Sequence, residues 1–254
     1  MCDECCGRIS TRYYCSVRFA LQKEIIMNIS LSLPCYNEEE NVSQTVLDVL
    51  AWFKEDNIDG EIIAVDDGST DRTGEILDQL SKDHSNVKVV KHSKNRGYGS
   101  AVISGLDAGT KEWLAYMDSD GQFKPLDFRK LLPHTEQFEI VTGRRLHRAD
   151  PFIRKLNAKL FAMLNVIVLG IWVRDINCAM KIFKRSIWKD IRPEFATGAL
   201  LNAEIFYRAK QKGIPWKQDF VNHYPRLHGK QTGANPFVIL KMFRDLVRLR
   251  FSRH

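Results

Sequence analysis

No segment of this chain is long and apolar enough to cross a bilayer. The longest uncharged stretch, Leu160–Val173, is bounded by Lys159 and Arg174 and falls short of the ~20 residues a spanning helix needs. The N-terminal segment lacks the continuous apolar run of a secretion signal. Cysteine is scarce where the chain looks organised: of six, Cys2, Cys5, Cys6 and Cys15 crowd the start, leaving Cys35 and Cys178. That usage builds no disulfide framework and points to a reduced, cytosolic compartment. Cys2 and Cys5 form one C-x-x-C pair with no second pair, which is poor evidence for zinc. Residues 1–27 read as an appended, poorly ordered extension or a start-site artefact, with the organised chain opening around Met27. Also missing are zinc-finger spacing and an RNA-recognition aromatic signature. Nucleic acid is therefore excluded as a partner despite a net charge of +7 and a pI near 9.1; the basic balance still favours an anionic ligand or surface.

What is present is a folding chain. Its 254 residues, 44% of them hydrophobic, suffice for one large α/β domain or two small ones and exclude disorder. From Asn28 strands and helices alternate. Ile29–Leu33 is an apolar run closed by Pro34, and Val42, Val46, Val49, Leu50 and Phe53 then recur at helical spacing. Glu61–Val65 is a second strand ending in Asp66 and Asp67. Ser69, Thr70 and Asp71 offer caps to a helix carrying Ile76, Leu77 and Leu80. Val87–Val90 reads as a strand, Gly97–Ala108 as a helix and Trp113–Met117 as a strand. Such alternation implies a mostly parallel sheet flanked by helices, with ligands at the carboxyl ends of the strands. The clusters Pro34–Glu38, Asp66–Gly68 and Asp118–Gln122 each follow a strand and should meet in one crevice.

The stretch WLAYMDSDGQF, Trp113–Phe123, ends a buried strand in two carboxylates two residues apart. Like charges held so close repel, so something positive is expected between them. Oxygens from Asp118, Asp120 and Gln122 suit a hard cation, Mg²⁺ or Mn²⁺, whose shell phosphate oxygens and water would complete. The pair Asp66–Asp67 suits hydrogen bonds to a base and a ribose hydroxyl. The plain alternative for either pair is a solvated, turn-forming aspartate cluster.

LPCYNEEENV (33–42), VDDGSTDRT (65–73), NRGYGSAVISGLDAG (95–109) and MDSDGQF (117–123) together resemble the motifs, in order, of the family 2 glycosyltransferases. The resemblance runs from about Ile29 to about Gln231 and implies the GT-A fold, a Rossmann-like nucleotide-sugar-binding α/β architecture. Gln122, TGRR (142–145), DINCAMKIFKR (175–185) and PRLHGKQTG (225–233) look closest to the branch of dolichol-phosphate mannose synthase and bacterial polyprenyl-phosphate glycosyltransferases. By position, the resemblance implies that Pro34, Tyr36 and Glu38 line the nucleotide pocket, with Asp66 and Asp67 on base and ribose. Asp118, Asp120 and Gln122 would hold a metal bridging the donor diphosphate of a GDP- or UDP-sugar. Arg145, with Arg144 beside it, would face an acceptor phosphate. Arg226 and Lys230 would close over the phosphates, and Asp175 would sit near the sugar. Where the family commonly has Gly-Phe-Arg after that aspartate, this chain has Cys178-Ala179-Met180-Lys181, which alters the expected sugar pocket.

Members that glycosylate a hydroxyl usually carry a Glu-Asp pair whose Asp is the base. The corresponding stretch here, LLNAEIFYRA, offers only Glu204. A hydroxyl nucleophile needs a base, whereas a lipid phosphate is already anionic and needs positive charge, which Arg144, Arg145 and Arg148 offer. The expected activity is thus inverting, metal-dependent transfer from a nucleotide sugar to a polyprenyl phosphate, with Glu204 as base in the alternative, hydroxyl-acceptor reading. A third reading, an idle nucleotide-sugar-binding scaffold, is disfavoured by the intact Asp118, Asp120 and Gln122.

A lipid acceptor calls for a membrane surface. Leu160–Val173 reads either as a core helix or as one lying in the interface. Residues 28–235 form the expected catalytic domain, and 236–254 a basic amphipathic helix. On the wheel Ile239, Met242, Phe243, Leu246 and Val247 share one face, with Lys241, Arg244 and Arg248 opposite. That helix is expected to anchor the protein peripherally on the cytoplasmic face of a membrane. Cover by the domain itself or by a second copy of the chain is the alternative.

Overall fold

A computed structural model of the chain describes residues 27–146, 159–195, 198, 200–226 and 246–251. The alternation read from the sequence is realised in its first half: β1 (Asn28–Cys35), α1 (Val42–Glu55), β2 (Asp59–Asp66), α2 (Thr73–Asp83), β3 (Val87–Lys91), α3 (Tyr98–Ala108) and β4 (Trp113–Tyr116). Two short 3₁₀ segments lead to β5 (Ile140–Leu146), followed by β6 (Lys181–Lys184), α4 (Leu201–Gln211) and β7 (Trp216–Asn222).

All seven strands form one sheet in the order β3-β2-β1-β4-β6-β5-β7. β1 pairs in parallel with β2 and β4, β2 with β3, and β5 with β7; β6 alone runs against its neighbours. The central strands are buried on both faces because helices cover both, with Ser30 and Ser32 of β1 the small polar residues on one of them. Ile62 and Ala64 share a core with Val46, Val49 and Trp52 of α1 and Leu77 of α2. Ile63 and Val65, pointing the opposite way, meet Ala101 of α3. α3 comes close because Gly105 lies on Ser32; a Cβ there would fall 1.9 Å from the serine Oγ.

The first strands run outward from β1 through β2 to β3, and β4 then returns to the other side of β1. The crevice between β1 and β4 is therefore the switch point where ligands bind in open parallel sheets. The loops after β1, β2 and β4 gather there.

Two expectations about the rest of the chain meet structure only in part. Residues 159–164 are helical and Asn165–Leu169 continue as a π-turn. Phe161, Asn165, Leu169 and Ile171 are buried, while Met163, Ile167 and Trp172 are exposed. The segment is thus core on one face and apolar surface on the other. Of the C-terminal helix only residues 246–251 are described; they are helical, with Leu246 and Leu249 buried in the core and Phe251 exposed. In that turn the apolar face lies on the domain itself, the alternative to a membrane. The remainder of that helix, the extension at 1–26, Arg148 and Lys230 lie outside the described residues.

Candidate active site

The loop after β1 is rigid by construction. Asn37 takes a left-handed conformation (φ 55°) that turns its side chain onto the next loop, where Oδ1 accepts the Thr70 N–H at 2.8 Å. The Asn37 and Glu38 amides donate to the hydroxyls of Ser69 and Thr73 at 3.1 and 2.8 Å. Asp71 accepts the Thr73 N–H at 3.0 Å, helping to start α2. On the other side, Ser119 donates to the Pro34 carbonyl at 2.7 Å and Met117 N–H to that of Ser32 at 3.1 Å. Pro34 is thus part of the frame, while the Tyr36 ring projects into solvent, 45% exposed.

Asp118 and Asp120 stand at the centre of this frame. Burial, and then the neighbouring Asp120 charge, push the Asp118 carboxyl up to about 7, against the hydrogen bond from Tyr98 and the positive charges of Arg145 and Lys181. A positive side chain reaches one of the two, but it bridges Asp120 to Glu38 and not to Asp118. Arg226 extends from the segment after β7, with Nη1 3.3 Å from Asp120 Oδ2 and Nη2 2.5 Å from Glu38 Oε1. Its arrival is fixed by the Tyr224 N–H donating to the Gln122 carbonyl at 2.9 Å, while Gln122 Nε2 donates back to the Tyr224 carbonyl at 3.2 Å. Burial raises the Glu38 carboxyl, an effect that Asn41 and Arg226 oppose.

No cluster of three or more His, Cys, Asp or Glu side chains suited to a metal occurs among the described residues. The set fits a hard cation held by few protein ligands all the same. Asp118 and Asp120 place two carboxylates on one loop, and the Gln122 amide donates through nitrogen, leaving its carbonyl oxygen for a ligand.

The second aspartate after β2 departs from expectation. Asp67 Oδ1 accepts from His92 Nδ1 (2.6 Å) and the Arg96 N–H (2.9 Å), and Oδ2 accepts the Gly97 N–H at 2.8 Å. With 2% exposure, it holds the loop before α3 instead of reading a base. Asp66 is nearly as buried; its Oδ1 accepts the Ser69 N–H at 2.9 Å, and its Oδ2 lies where a Cβ on Gly74 would come within 2.6 Å.

Arg145 and Asp175 are brought together as a bidentate pair. Arg144 is not with them: strand alternation sends it to the other face, where its guanidinium stacks 4.9 Å from the Phe220 ring centroid. Glu204 is a correction as well. It is fully buried in α4, its oxygens accepting the N–H groups of Glu194 (2.7 Å) and Phe195 (3.1 Å) and Arg208 Nε (3.0 Å). A carboxylate so enclosed anchors the 194–195 segment and is not a base for a substrate.

No role was read from the sequence for Tyr98, whose hydroxyl donates to Asp118 Oδ1 at 2.8 Å, nor for Lys181. The latter is fully buried, donates to the carbonyls of Ile176 (3.0 Å) and Cys178, and lies over the Tyr116 ring at 5.4 Å. Burial brings its ammonium down to about 8. A lysine opening the short strand KIFK, directly before Ile182 and Phe183, was the available signal. For Tyr98 it was a hydroxyl opening the helix that follows β3.

Comparison with known proteins joins this geometry to a family. The model for "Glycosyl transferase family 2" matches residues 30–192. The chain belongs to that family. Its sheet order and strand-end loops are those of a GT-A-like fold. Glucosyl-3-phosphoglycerate synthase of Mycobacterium tuberculosis, solved with Mn²⁺, UDP and phosphoglyceric acid, superposes with a TM-score of 0.66 at 20% identity over 90% of this chain and 80% of that one. Among curated relatives, an undecaprenyl-phosphate 4-deoxy-4-formamido-L-arabinose transferase of Pectobacterium carotovorum is 30% identical over 64% of this chain and 50% of its own length. The chain thus spans about half the length of the arabinose transferases it matches. A dolichyl-phosphate beta-glucosyltransferase of Dictyostelium discoideum is 28% identical over 90% of this chain and 76% of its own. Within this family 2 chain, no helix among the described residues is long and apolar enough to cross a membrane.

Proposed function

We propose that this family 2 glycosyltransferase moves a sugar, with inversion, from a GDP- or UDP-sugar to a polyprenyl phosphate at the cytoplasmic surface of a membrane. The observation that carries the acceptor assignment is Glu204. It is the carboxylate the sequence offered as a base for a hydroxyl, and it is enclosed with both oxygens bonded. Asp175 is likewise held in the Arg145 fork. An acceptor that arrives already ionised needs neither. Relatives whose names specify undecaprenyl, dolichyl and dodecaprenyl phosphate support the same class.

In this reading an acceptor phosphate oxygen forms the bond to the anomeric carbon as the bond to the nucleoside diphosphate breaks, a single displacement giving a β-linked product from an α-linked donor. Asp118, Asp120 and Gln122 would hold a divalent cation, Mg²⁺ or Mn²⁺, whose chemistry is to neutralise charge growing on the diphosphate; structural neighbours solved with Mn²⁺ or Mg²⁺ and UDP support it. Tyr36 and Asp66 flank the nucleoside, and Glu38 orients Arg226, which together with Lys230 turns to the donor phosphates. Arg145, aimed by Asp175, receives the acceptor phosphate. The exposed apolar face of Met163, Ile167 and Trp172, between Lys159 and Arg174, rests on the lipid surface.

The test offers purified protein a short-chain polyprenyl phosphate and the matching polyprenol, with UDP- and GDP-sugars. Transfer to the phosphate is expected, with a β signal from the product's anomeric proton in nuclear magnetic resonance. Transfer to the alcohol alone would establish the hydroxyl-acceptor alternative instead.

A further inference from the structure

We propose that Tyr98 is a positioning residue of the cation site, its hydroxyl fixing the Asp118 carboxylate in the orientation that presents an oxygen to the metal and donor diphosphate. The inference rests on reading Asp118 and Asp120 as cation ligands, and adds a residue that reading does not contain.

The two aspartates are supported unequally. Asp120 is held by its own turn, Oδ1 accepting the Gln122 N–H at 3.0 Å, and by Arg226 on Oδ2. Asp118 accepts the Tyr98 hydroxyl at 2.8 Å, and among the described residues no other group donates to it. Remove that hydroxyl, and Asp118 keeps packing and the more distant charges of Arg145 and Lys181 but no directed bond. A ligand held by one directed bond owes its orientation to the donor.

The donor is itself firmly placed. Tyr98 is the first residue of α3, and Gly97 before it takes φ 91°, a conformation open to glycine and strained for other residues. The junction is fastened by Asp67, which gathers the N–H groups of both Arg96 and Gly97 and the His92 ring. The other ring nitrogen, His92 Nε2, is hydrogen-bonded to the Ser104 hydroxyl at 2.9 Å, tying the loop to the body of α3. A buried acid, a buried imidazole and a helical hydroxyl thus converge on the two residues preceding Tyr98. The side chain they deliver ends on Asp118.

The tyrosine ring is 39% exposed, so Tyr98→Phe removes the hydroxyl without opening a core cavity and keeps any stacking the ring provides. The experiment measures Mn²⁺ affinity of the full chain in saturating UDP, with GDP in parallel, by calorimetry and by the paramagnetic resonance of bound Mn²⁺. Tyr98→Phe is expected to weaken Mn²⁺ by about 10- to 100-fold, to alter the bound-Mn²⁺ spectrum, and to leave the melting midpoint without ligand unchanged. Wild-type Mn²⁺ affinity and spectrum in the variant would overturn the proposal. Nucleotide binding by the wild type that ignores Mn²⁺ and chelator alike would overturn the cation reading, and this inference with it; that failure shows in the wild type before any variant is made.

Discussion

Arg145 grips Asp175 through a two-pronged fork, Nε to Oδ2 at 2.8 Å and Nη2 to Oδ1 at 2.7 Å, with the Arg145 backbone N–H adding a third bond at 3.0 Å. The side chains are only 12% and 9% exposed, so neither charge is well solvated alone. Removing one partner strips the other of this buried fork, and Arg145→Ala or Asp175→Ala should each cost about 3 kcal/mol. The double variant should cost clearly less than the sum of the two. Arg145→Lys should fall between, because an ammonium cannot form the fork. Urea unfolding of the four variants and the wild type decides it; additive losses would mean the pair contributes nothing as a pair.

Arg226 supplies a different kind of test, since it touches both Glu38 and Asp120. A guanidinium on Asp120 competes with a cation there. Arg226→Ala should therefore tighten Mn²⁺ binding without nucleotide by roughly three- to tenfold. In the presence of Mn²⁺ it should weaken UDP binding, because a charge-assisted donor to the phosphates is gone. Calorimetry reads both signs; a loss in both titrations would show that Arg226 does not compete with the metal.

These roles were unequally visible in the sequence. β1, β2 and β4 were legible because short, largely apolar runs end abruptly in polar loops, as strands of a buried parallel sheet do at the edge where ligands bind. β6 was not, because KIFK is four residues long and its antiparallel pairing with β4 and β5 is made by distant chain. Asp66 and Asp67 look alike in sequence; the donors that claim Asp67 come from residues 92–97. Glu204 misled by its type, although Arg208 four residues on was a readable hint of a helical ion pair. Burial to 0% belongs to the tertiary fold and leaves no local mark.

Glu61 gives a pH dependence away from the site. Burial alone would raise its carboxyl, but Lys88, the Ser30 hydroxyl, and the Thr110 N–H and hydroxyl outweigh burial and hold it down to about 2, against 4.5 ordinarily. A depressed carboxylate contributes stability that is fully present above its unfolded value and erodes as pH falls through 4.5 towards 2. The full contribution is about 3 kcal/mol, of which roughly 2 kcal/mol is lost between pH 6 and pH 3. Glu61→Gln should be less stable at pH 6 and lose correspondingly less on acidification. Denaturant midpoints at the two pH values measure it, and parallel losses in both proteins would assign the acid sensitivity elsewhere.

The last prediction concerns the surface beside the π-turn. Ile167 and Trp172 are 70% and 65% exposed, on a segment whose opposite side, Asn165, Leu169 and Ile171, is buried. Helical spacing explains the division, since 161, 165 and 169 fall on one face and 160, 163 and 167 on another. An amphipathic surface helix has polar residues outside; this one carries Leu160, Met163 and Ile167 there, with Lys159 and Arg174 at its ends. An apolar face rimmed by basic residues suits an anionic lipid surface, into which the side chains enter while the cations meet headgroups. Each such side chain withdrawn from water is worth about 1.5–3 kcal/mol. Ile167→Asp combined with Trp172→Asp should therefore lower co-sedimentation with phosphatidylglycerol vesicles by more than tenfold. The fold should survive, because both side chains already face water. High salt should weaken wild-type binding further through screening of the basic rim. Turnover of a detergent-dispersed short-chain polyprenyl phosphate should stay near wild type, since neither residue touches the D-x-D loop. Vesicle binding unchanged by the double substitution would move the membrane contact away from this face.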